Sequence, residues 1–299
     1  MMLSVRQKVM SSLVQLTQLL MKSRREAAIV AMLTAAIPFL GWASLVIVCL
    51  VTLRKGMREG LFILSWAVVP AFISSCLIGS WLLGLESVMA YLWLWGVACL
   101  LRKTASWAYV LEASALVGVI VILFLHVKIP DLSEIYFNYL MDLYKSSTSD
   151  TIAYADMQTF VQHIVNYLLG VQVVLYVIHN LFCLLIARGL QAMLYNPKGL
   201  SRDLKMIRLN WASWAFAAIC LFFGMKMSSS WALDTFPVWI VLFVFAGLSL
   251  VHYLIKVKLS FRGAIPVFYI LLMLLFPVSL IPVALLAFTD TGWDMRKKF

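Results

Sequence analysis

The sequence predicts an all-α fold, a polytopic transmembrane helical bundle of about 8–10 membrane segments. Three observations predict it. Hydrophobic residues make up 64% of the chain and charged residues 12%, against roughly 45–50% and ~25% in soluble domains. The apolar residues form runs longer than ~18 residues that are nearly free of charge, as expected of membrane helices. Nearly all of the 24 Lys and Arg residues lie in short clusters between these runs.

The basic clusters predict the orientation of the chain in its membrane. They lie at 6–25, 54–58, 102–103, 188–208, 256–262 and 296–298. The long polar interval 127–160 instead contains more acidic than basic residues. Because cytoplasmic loops carry the excess of Lys and Arg, we expect the basic loops to be cytoplasmic and 127–160 to be external.

Residues 1–25 form the first predicted element, a cytoplasmic amphipathic helix. Apolar residues recur there at helical spacing among basic and amide side chains, at Val9, Leu13, Leu16 and Leu20. Such a helix lies along a membrane surface, and docking on a partner protein is the alternative. Because the segment is polar and basic, without an apolar stretch and cleavage site, we do not expect a cleavable signal peptide.

The apolar runs follow in order at about 27–53, 59–83, 86–101, 104–126, 161–187, 209–226, 232–255 and 262–289. Eight single spans would place both basic termini outside. However, the first run contains Pro38 and the last contains Pro277 and Pro282, and proline inside a helix removes a backbone hydrogen bond and clashes with the preceding turn. Interpreted as hairpins, 27–40/42–54 and 262–276/278–289 return both termini to the cytoplasm. The preferred prediction is therefore ten segments, four of them short.

The external interval 127–160 is expected to contain a short helix that caps the outer mouth of the bundle. Its apolar and aromatic residues repeat at helical spacing, at Leu132, Ile135, Tyr136, Tyr139, Leu140 and Leu143. The polar run 146–149 ends this pattern. A flexible linker is the alternative.

Four polar residues inside the apolar runs are candidates for a ligand pocket. Glu112 lies within 104–126, and an ionisable group at membrane depth indicates function by default because burying it unpaired is costly. A hydrogen-bonded structural glutamate is the alternative. Gln172, His179 and Asn180 lie within 161–187. They suit a hydrated cavity or a small polar ligand, or else hydrogen bonds between helices.

The first short helix carries small residues on one face, at Ala27, Ala31 and Ala35. Small residues at every fourth position allow another helix to approach closely. The pattern indicates either a docking surface for a second membrane protein or ordinary packing within the chain.

Several classes of function are disfavoured. The chain has no HExxH, GxSxG or Walker motif, so we expect no enzyme activity, no catalytic residue and no cofactor. Its five cysteines all lie in apolar runs without a CxxC pair, which disfavours a disulfide framework or a metal site. The net charge of +11 comes without a base-stacking motif, so the predicted partner is the lipid bilayer and not nucleic acid.

The cytoplasmic loop 188–208 carries the most distinctive sequence. Residues 185–209 read LIARGLQAMLYNPKGLSRDLKMIRL. Asn, Pro and Gly at 196–199 predict a turn, followed by a short basic helix. The basic residues are expected to anchor the topology, to bind anionic lipid or to contact a cytosolic partner. The characteristic residues of this segment are Arg188, Gln191, Asn196, Pro197, Gly199 and Arg208.

Together with VTLRKGMREG at 51–60 and LLAFTDTGWDMRKKF at the end, this segment resembles the YybS-like family of predicted bacterial membrane proteins, a domain of unknown function. The resemblance implies a multi-pass protein of the bacterial inner membrane and brings no assigned chemistry. That family is distantly similar to the S components of energy-coupling-factor transporters. In S components, a short first helix with an AxxxA pattern docks the transmembrane coupling subunit. This likeness implies an S-component-like core in 26–187, with 209–299 as additional C-terminal helices.

Two functional hypotheses follow. The first is a small-molecule binding or transport component that works with a membrane partner resembling a coupling subunit. The second is a non-transporting scaffold that recruits proteins through the N-terminal arm and the 188–208 loop.

Overall fold

A computed structural model describes residues 14–37, 39–147, 154–227, 230–258 and 263–298. Every regular element in these ranges is a helix, so the predicted all-α bundle is confirmed. Helix α1 covers 14–22. The others are α2 (Arg24–Ala36), α3 (Gly41–Lys55), α4 (Met57–Ile78), α5 (Trp81–Thr104), α6 (Trp107–Lys128), α7 (Leu132–Ser147), α8 (Tyr154–Tyr195), α9 (Gly199–Lys205), α10 (Trp211–Met227), α11 (Ser230–Lys258), α12 (Ala264–Leu274), α13 (Leu280–Trp293) and α14 (Met295–Lys298).

Five helices in the described ranges are long and apolar enough to cross a membrane: α4, α5, α6, α8 and α11. Three shorter apolar helices, α10, α12 and α13, accompany them. The chain is therefore a multi-pass membrane protein. Each of the ten predicted segments coincides with one of the helices α2–α6, α8 and α10–α13.

Both Pro-containing runs are divided into two short helices, as predicted. The first gives α2 and α3, with 13 and 15 residues, although Pro38 itself lies outside the described residues. The last gives α12 and α13, with 11 and 14 residues. Pro277 lies in the turn between them, whereas Pro282 is the third residue of α13. The first turn of a helix tolerates proline because its N–H groups have no partner within the helix.

Helix α8 differs most from its predicted length. It contains 42 residues and continues to Tyr195, so the predicted loop 188–208 begins as helix. The interval 188–195 has no Pro or Gly cluster to end the helix, and the break comes only at Asn196-Pro197. The predicted turn at 196–199 and the short helix after it are confirmed. The predicted external helix is also confirmed, as α7.

The helices group into two compact units. The first comprises the described residues up to Val110 and Ile178–Leu204. At its centre lies α3, in which every residue from Ser44 to Leu53 is buried, as expected of a helix that is apolar all round. Helix α2 runs parallel to α4. Arg24 pairs with Glu59 where both helices begin, and Ser74 donates a hydrogen bond to the Ala35 carbonyl oxygen near the end of both.

The second unit comprises Leu111–Val177 and the described residues from Lys205 onward. Helix α11 packs on α13, and Gly247 makes their close approach possible: a Cβ atom there would lie 2.1 Å from the Val283 carbonyl oxygen. The segments 26–187, 188–208 and 209–299 were predicted from the order of the apolar runs along the chain, and they stay a prediction. The two packed units divide the chain at other residues.

Candidate functional site

A buried carboxylate in the second unit joins three helices that are long enough to span a membrane. Asp234 lies near the start of α11, and its side chain is 3% exposed. Its Oδ2 atom lies 2.8 Å from Nε2 of His126, at the end of α6. Its Oδ1 atom accepts a hydrogen bond of 2.9 Å from the backbone N–H of Gly170, in α8. The side chain of Asp234 is therefore held from α6 and α8.

Glycine at position 170 makes this junction possible. A Cβ atom on Gly170 would lie 1.9 Å from the Asp234 carbonyl oxygen, far closer than two nonbonded atoms can approach. Only glycine therefore allows α8 and α11 to come this near each other.

A second polar pair lies in the same unit, on α7 and the exposed side of α8. Tyr136 of α7 donates a hydrogen bond of 2.7 Å to Oε1 of Gln172, two residues after Gly170 in α8. Burial raises the pKa of Tyr136, and the negative charge of Asp234 raises it further. We call His126, Tyr136, Gln172 and Asp234 the polar cluster. Helix α7 is held against α8 by apolar contacts of Met141, Val161 and Val165.

The polar cluster has the chemistry of a binding or proton-transfer site. It combines a carboxylate, an imidazole, a phenol and an amide, which together offer both donors and acceptors. Within the described residues, no group of three or more His, Cys, Asp or Glu side chains is placed to hold a metal ion. The donors and acceptors of the polar cluster suit a polar or cationic organic group, or a proton.

The four predicted ligand-binding residues do not form one site. Glu112 accepts hydrogen bonds from the backbone N–H and Nδ2 of Asn210, at 2.6 and 2.7 Å, and so holds the start of α10. Glu112 and His126 are 14 positions apart on one helix, or about 21 Å. Of the four, only Gln172 belongs to the polar cluster.

The other two predicted residues belong to the first unit. The His179 side chain is exposed, and its Nε2 lies 3.9 Å from the sulfur of Cys183, one turn further along α8. The side chain of Asn180 is buried, with 1% exposure. His179 and Asn180 are therefore neighbouring polar residues of α8 within the first unit. That they contact a ligand stays a prediction.

The alanine face of α2 is covered within the chain. Ala27 and Ala31 are fully buried and Ala35 is 3% exposed, and α2 packs against α4 and α3. Packing within the chain, the alternative noted above, accounts for this burial. Docking of a partner on this face stays a prediction. The three alanines expose almost no surface that a partner could contact.

Two of the characteristic residues of 188–208 form a polar network inside the first unit. The Arg188 guanidinium donates from Nε and Nη2 to one Asp203 oxygen, at 3.1 and 2.7 Å, and from Nη1 to Gln191 at 2.7 Å. Gln191 donates in turn to the carbonyl oxygen of Leu53. Arg102 also donates to this carbonyl, so the network caps the C-terminal end of α3, where helix carbonyls lack partners.

The remaining characteristic residues shape the chain after α8. Gly199 donates its N–H to the Asn196 carbonyl across a tight turn that contains Pro197. A Cβ on Gly199 would lie 2.6 Å from Nδ2 of Asn196, so a larger residue there would force the Asn196 side chain to move. Arg208 belongs to the second unit and donates to an oxygen of Asp294 at 2.7 Å.

The C-terminal segment of the second unit contains a partly buried arginine. Arg296 pairs with Asp290 at 3.3 Å and donates to the carbonyl oxygens of Lys205 and Ile207. Burial lowers the pKa of Arg296, and the nearby Asp290 offsets part of this change. The segment that follows α9 is therefore fixed to the C-terminal helices by backbone acceptors, which sequence patterns do not reveal.

The sequence interpretation missed His126 and Asp234, although the same rule that selected Glu112 applies to them. Asp234 lies inside the predicted span 232–255, and His126 ends the span 104–126. Both lie near the ends of their spans, where an ionisable residue is less costly than at the bilayer centre. Their pairing cannot be predicted from the sequence, since the two residues are 108 positions apart.

Comparison of the chain with models of known protein families, with curated proteins and with solved structures found no match. The resemblance to YybS-like proteins and S components therefore stays a prediction that rests on the quoted residues alone.

Proposed function

We propose that the protein is a small-molecule binding or transport component of a bacterial inner membrane, and that the polar cluster is where it binds its ligand. The observation that carries this proposal is the burial of Asp234 inside a spanning helix, paired with His126 and a backbone N–H. Ionisable residues within membrane segments are costly and are concentrated along substrate and proton pathways.

The composition of the polar cluster supports a particular class of ligand. His126 is the only ionisable side chain that bonds to the Asp234 carboxylate among the described residues. A ligand with a donor group could take the place of one of these partners, and the Asp234 carboxylate would still be hydrogen-bonded. We therefore expect a small polar molecule with a cationic or strongly donating group. A coupling-subunit-like membrane partner would complete the S-component-like assembly.

Asp234→Asn is the variant that tests the ligand site. Asparagine retains the shape and one acceptor oxygen but removes the negative charge, so we expect a bound small molecule to be lost. Native mass spectrometry of protein purified in mild detergent should show a copurifying ligand on the wild type and its absence from the variant.

The matched control is Glu112→Gln, which neutralises the acid of α6 and keeps a side chain that can accept a hydrogen bond from Asn210. It should retain the ligand. A wild type that is repeatedly purified empty, or an Asp234→Asn variant that keeps its ligand, would contradict the proposal. An empty protein that instead captures cytosolic proteins through 188–208 would favour the scaffold hypothesis.

The proposed orientation places both termini in the cytoplasm. A Lys298→Cys variant, made in a chain whose five native cysteines are replaced by serine or alanine, should resist a membrane-impermeant maleimide added to intact cells. It should react after the cells are permeabilised. A cysteine introduced at Lys145 is the matched control and should react from outside. Strong labelling at position 298 in intact cells would overturn the ten-segment topology.

A further inference from the structure

Most Lys and Arg residues of the first unit have no acidic partner. The described residues of this unit include eleven Lys and Arg residues but only four Asp and Glu residues. Two of the four acids, Glu59 and Asp203, already pair with Arg24 and Arg188. The remaining cations of the unit pair with no carboxylate among the described residues.

The arginines of the second unit are arranged differently. Arg208 lies 2.7 Å from a carboxylate oxygen of Asp294, and Arg296 lies 3.3 Å from a carboxylate oxygen of Asp290. Membrane topology depends on the number of Lys and Arg residues in a loop, and acidic residues contribute little to it. Topology therefore explains that basic residues are present, but not that those of the first unit are left without a counterion.

Four of these cations lie together where α3, α4 and α5 meet. Lys55 is the last residue of α3, and Arg58 lies in the first turn of α4. Arg102 and Lys103 lie in the last turn of α5. Between α3 and α4, Gly56 has a φ of 113°, and a Cβ atom there would lie 3.7 Å from the guanidinium carbon of Arg102. The Arg102 side chain therefore lies against the turn that carries the first two cations. We call Lys55, Arg58, Arg102 and Lys103 the basic patch.

Arg102 is held in place by one nitrogen and presents its other two nitrogens without a partner. Its Nη1 donates to the carbonyl oxygens of Thr52 and Leu53, at 3.2 and 2.9 Å. Its Nη2 and Nε lie 3.7 and 4.0 Å from the Cβ position of Gly56 and donate to no acceptor in the part of the chain that the structure describes. In the same unit, Arg188 binds a carboxylate through these same two nitrogens. Because a guanidinium edge matches two oxygens of a phosphate or carboxylate, Arg102 offers an anion a contact that is already in position.

Outward-facing apolar surface begins directly next to the basic patch. Arg58, Phe62 and Trp66 follow one another at intervals of four on α4, and all three are exposed. Trp95 of α5 donates its indole N–H to the Met57 carbonyl oxygen at the start of α4, at 3.2 Å. Tryptophan is enriched where lipid headgroups meet acyl chains. The surroundings of the basic patch are therefore those of a lipid headgroup, with charge above and apolar surface below.

We propose that the basic patch binds the phosphate of an anionic phospholipid. Arg102 donates to two phosphate oxygens through Nε and Nη2, and Arg58 and Lys103 supply further positive charge. An acyl chain of the same lipid lies along Phe62 and Trp66. A soluble phosphate compound would satisfy the cations but would leave the apolar face of α4 uncovered. This site goes beyond the proposed function, because the polar cluster belongs to the second unit and suits a cation.

The test is native mass spectrometry of the delipidated, detergent-purified protein, titrated with phosphatidylglycerol. Phosphatidylcholine with the same acyl chains is the comparison, because its choline group cancels the charge of the phosphate. We expect phosphatidylglycerol to bind at least fivefold more tightly, since each Lys or Arg near an anionic lipid surface contributes about 1 kcal/mol, a factor of about five in Kd. Glycerol 3-phosphate, a soluble form of the headgroup, should not displace the lipid at an equal concentration.

Arg58→Gln/Lys103→Gln removes two charges of the basic patch whose side chains make no hydrogen bond among the described residues, so the fold should be retained. We expect phosphatidylglycerol to bind about fivefold more weakly for each lost charge, with phosphatidylcholine binding unchanged. The matched control is Lys128→Gln/Lys145→Gln, which removes the same charge outside the patch and should bind lipid as the wild type does.

Arg102→Lys separates geometry from charge, because lysine keeps the charge but presents a single ammonium group in place of the two nitrogens. We expect phosphatidylglycerol to bind about fivefold more weakly to this variant, the effect of one lost hydrogen bond. Unfolding temperatures are measured for every variant. If Arg102→Lys does not fold, the double variant and its control still decide the question.

Three results would overturn the proposal: equal binding of the two lipids, equal loss of binding in the patch variant and its control, or displacement of the lipid by an equal concentration of glycerol 3-phosphate. The last of these would assign the patch to a soluble phosphate compound. Loss of a bound small molecule from Asp234→Asn is a separate result, because that variant leaves the basic patch unchanged.

Discussion

Gly170→Ala is expected to lower the free energy of unfolding by about 3 kcal/mol or more, which is at the upper end for added volume in a packed interior. The new methyl group would lie 1.9 Å from the Asp234 carbonyl oxygen. The atom it meets belongs to a helix backbone, so no side-chain rotation can relieve the clash. Helices α8 and α11 would have to separate, and the hydrogen bond from Gly170 to Asp234 would be lost with them.

Gly292→Ala is the matched control, since it makes the same chemical change in a helix of the same unit. No atom lies within 4 Å of its Cβ position. Alanine is favoured over glycine in a helix by about 0.5–1 kcal/mol, so this variant should be as stable as the wild type or slightly more stable. Thermal unfolding in detergent, followed by the fluorescence of the 11 tryptophans, compares the two. Equal stability of both variants would show that α8 and α11 do not pack as closely as the structure has them.

The sequence predicted the helices well because the signals that define them are local. Long apolar runs, charge clusters and Pro277 each act on the residues around them, and all ten predicted segments coincide with helices. Even the division of the first and last runs followed from a local rule on proline together with the charge of the loops. The exception, the extension of α8 to Tyr195, concerned an interval without a strong helix-ending residue.

Contacts between distant residues were predicted less well, because polar and small residues show that a partner is needed but not which one. Glu112 was singled out as an acid inside an apolar run, but its partner, Asn210, lies 98 positions away. The alanines of α2 indicated close packing, and the structure covers them with helices of the same chain. Gly170 gave no signal in the sequence, since its role depends on the Asp234 backbone of another helix.

His126→Leu is expected to destabilise the second unit by about 1–3 kcal/mol, the range for leaving a buried polar group without its hydrogen-bond partner. It would leave the Asp234 carboxylate, 3% exposed, with hydrogen bonds from the α8 backbone alone, from Gly170 and Leu169. An anionic carboxylate in that position has lost its side-chain donor. Its desolvation cost is then compensated by fewer hydrogen bonds.

The double variant His126→Leu/Asp234→Leu should be more stable than His126→Leu alone. Replacing both partners by apolar groups of similar size removes the unpaired charge, and such replacements are often neutral or stabilising. The two substitutions and the double variant form a cycle, and residues in contact should give a coupling energy well above the ~0.3–0.5 kcal/mol expected of independent sites. Thermal unfolding of the wild type, the two single variants and the double variant gives this coupling energy. Additive effects would mean that His126 and Asp234 do not interact, and would remove the junction of α6 and α11 on which the proposed ligand site depends.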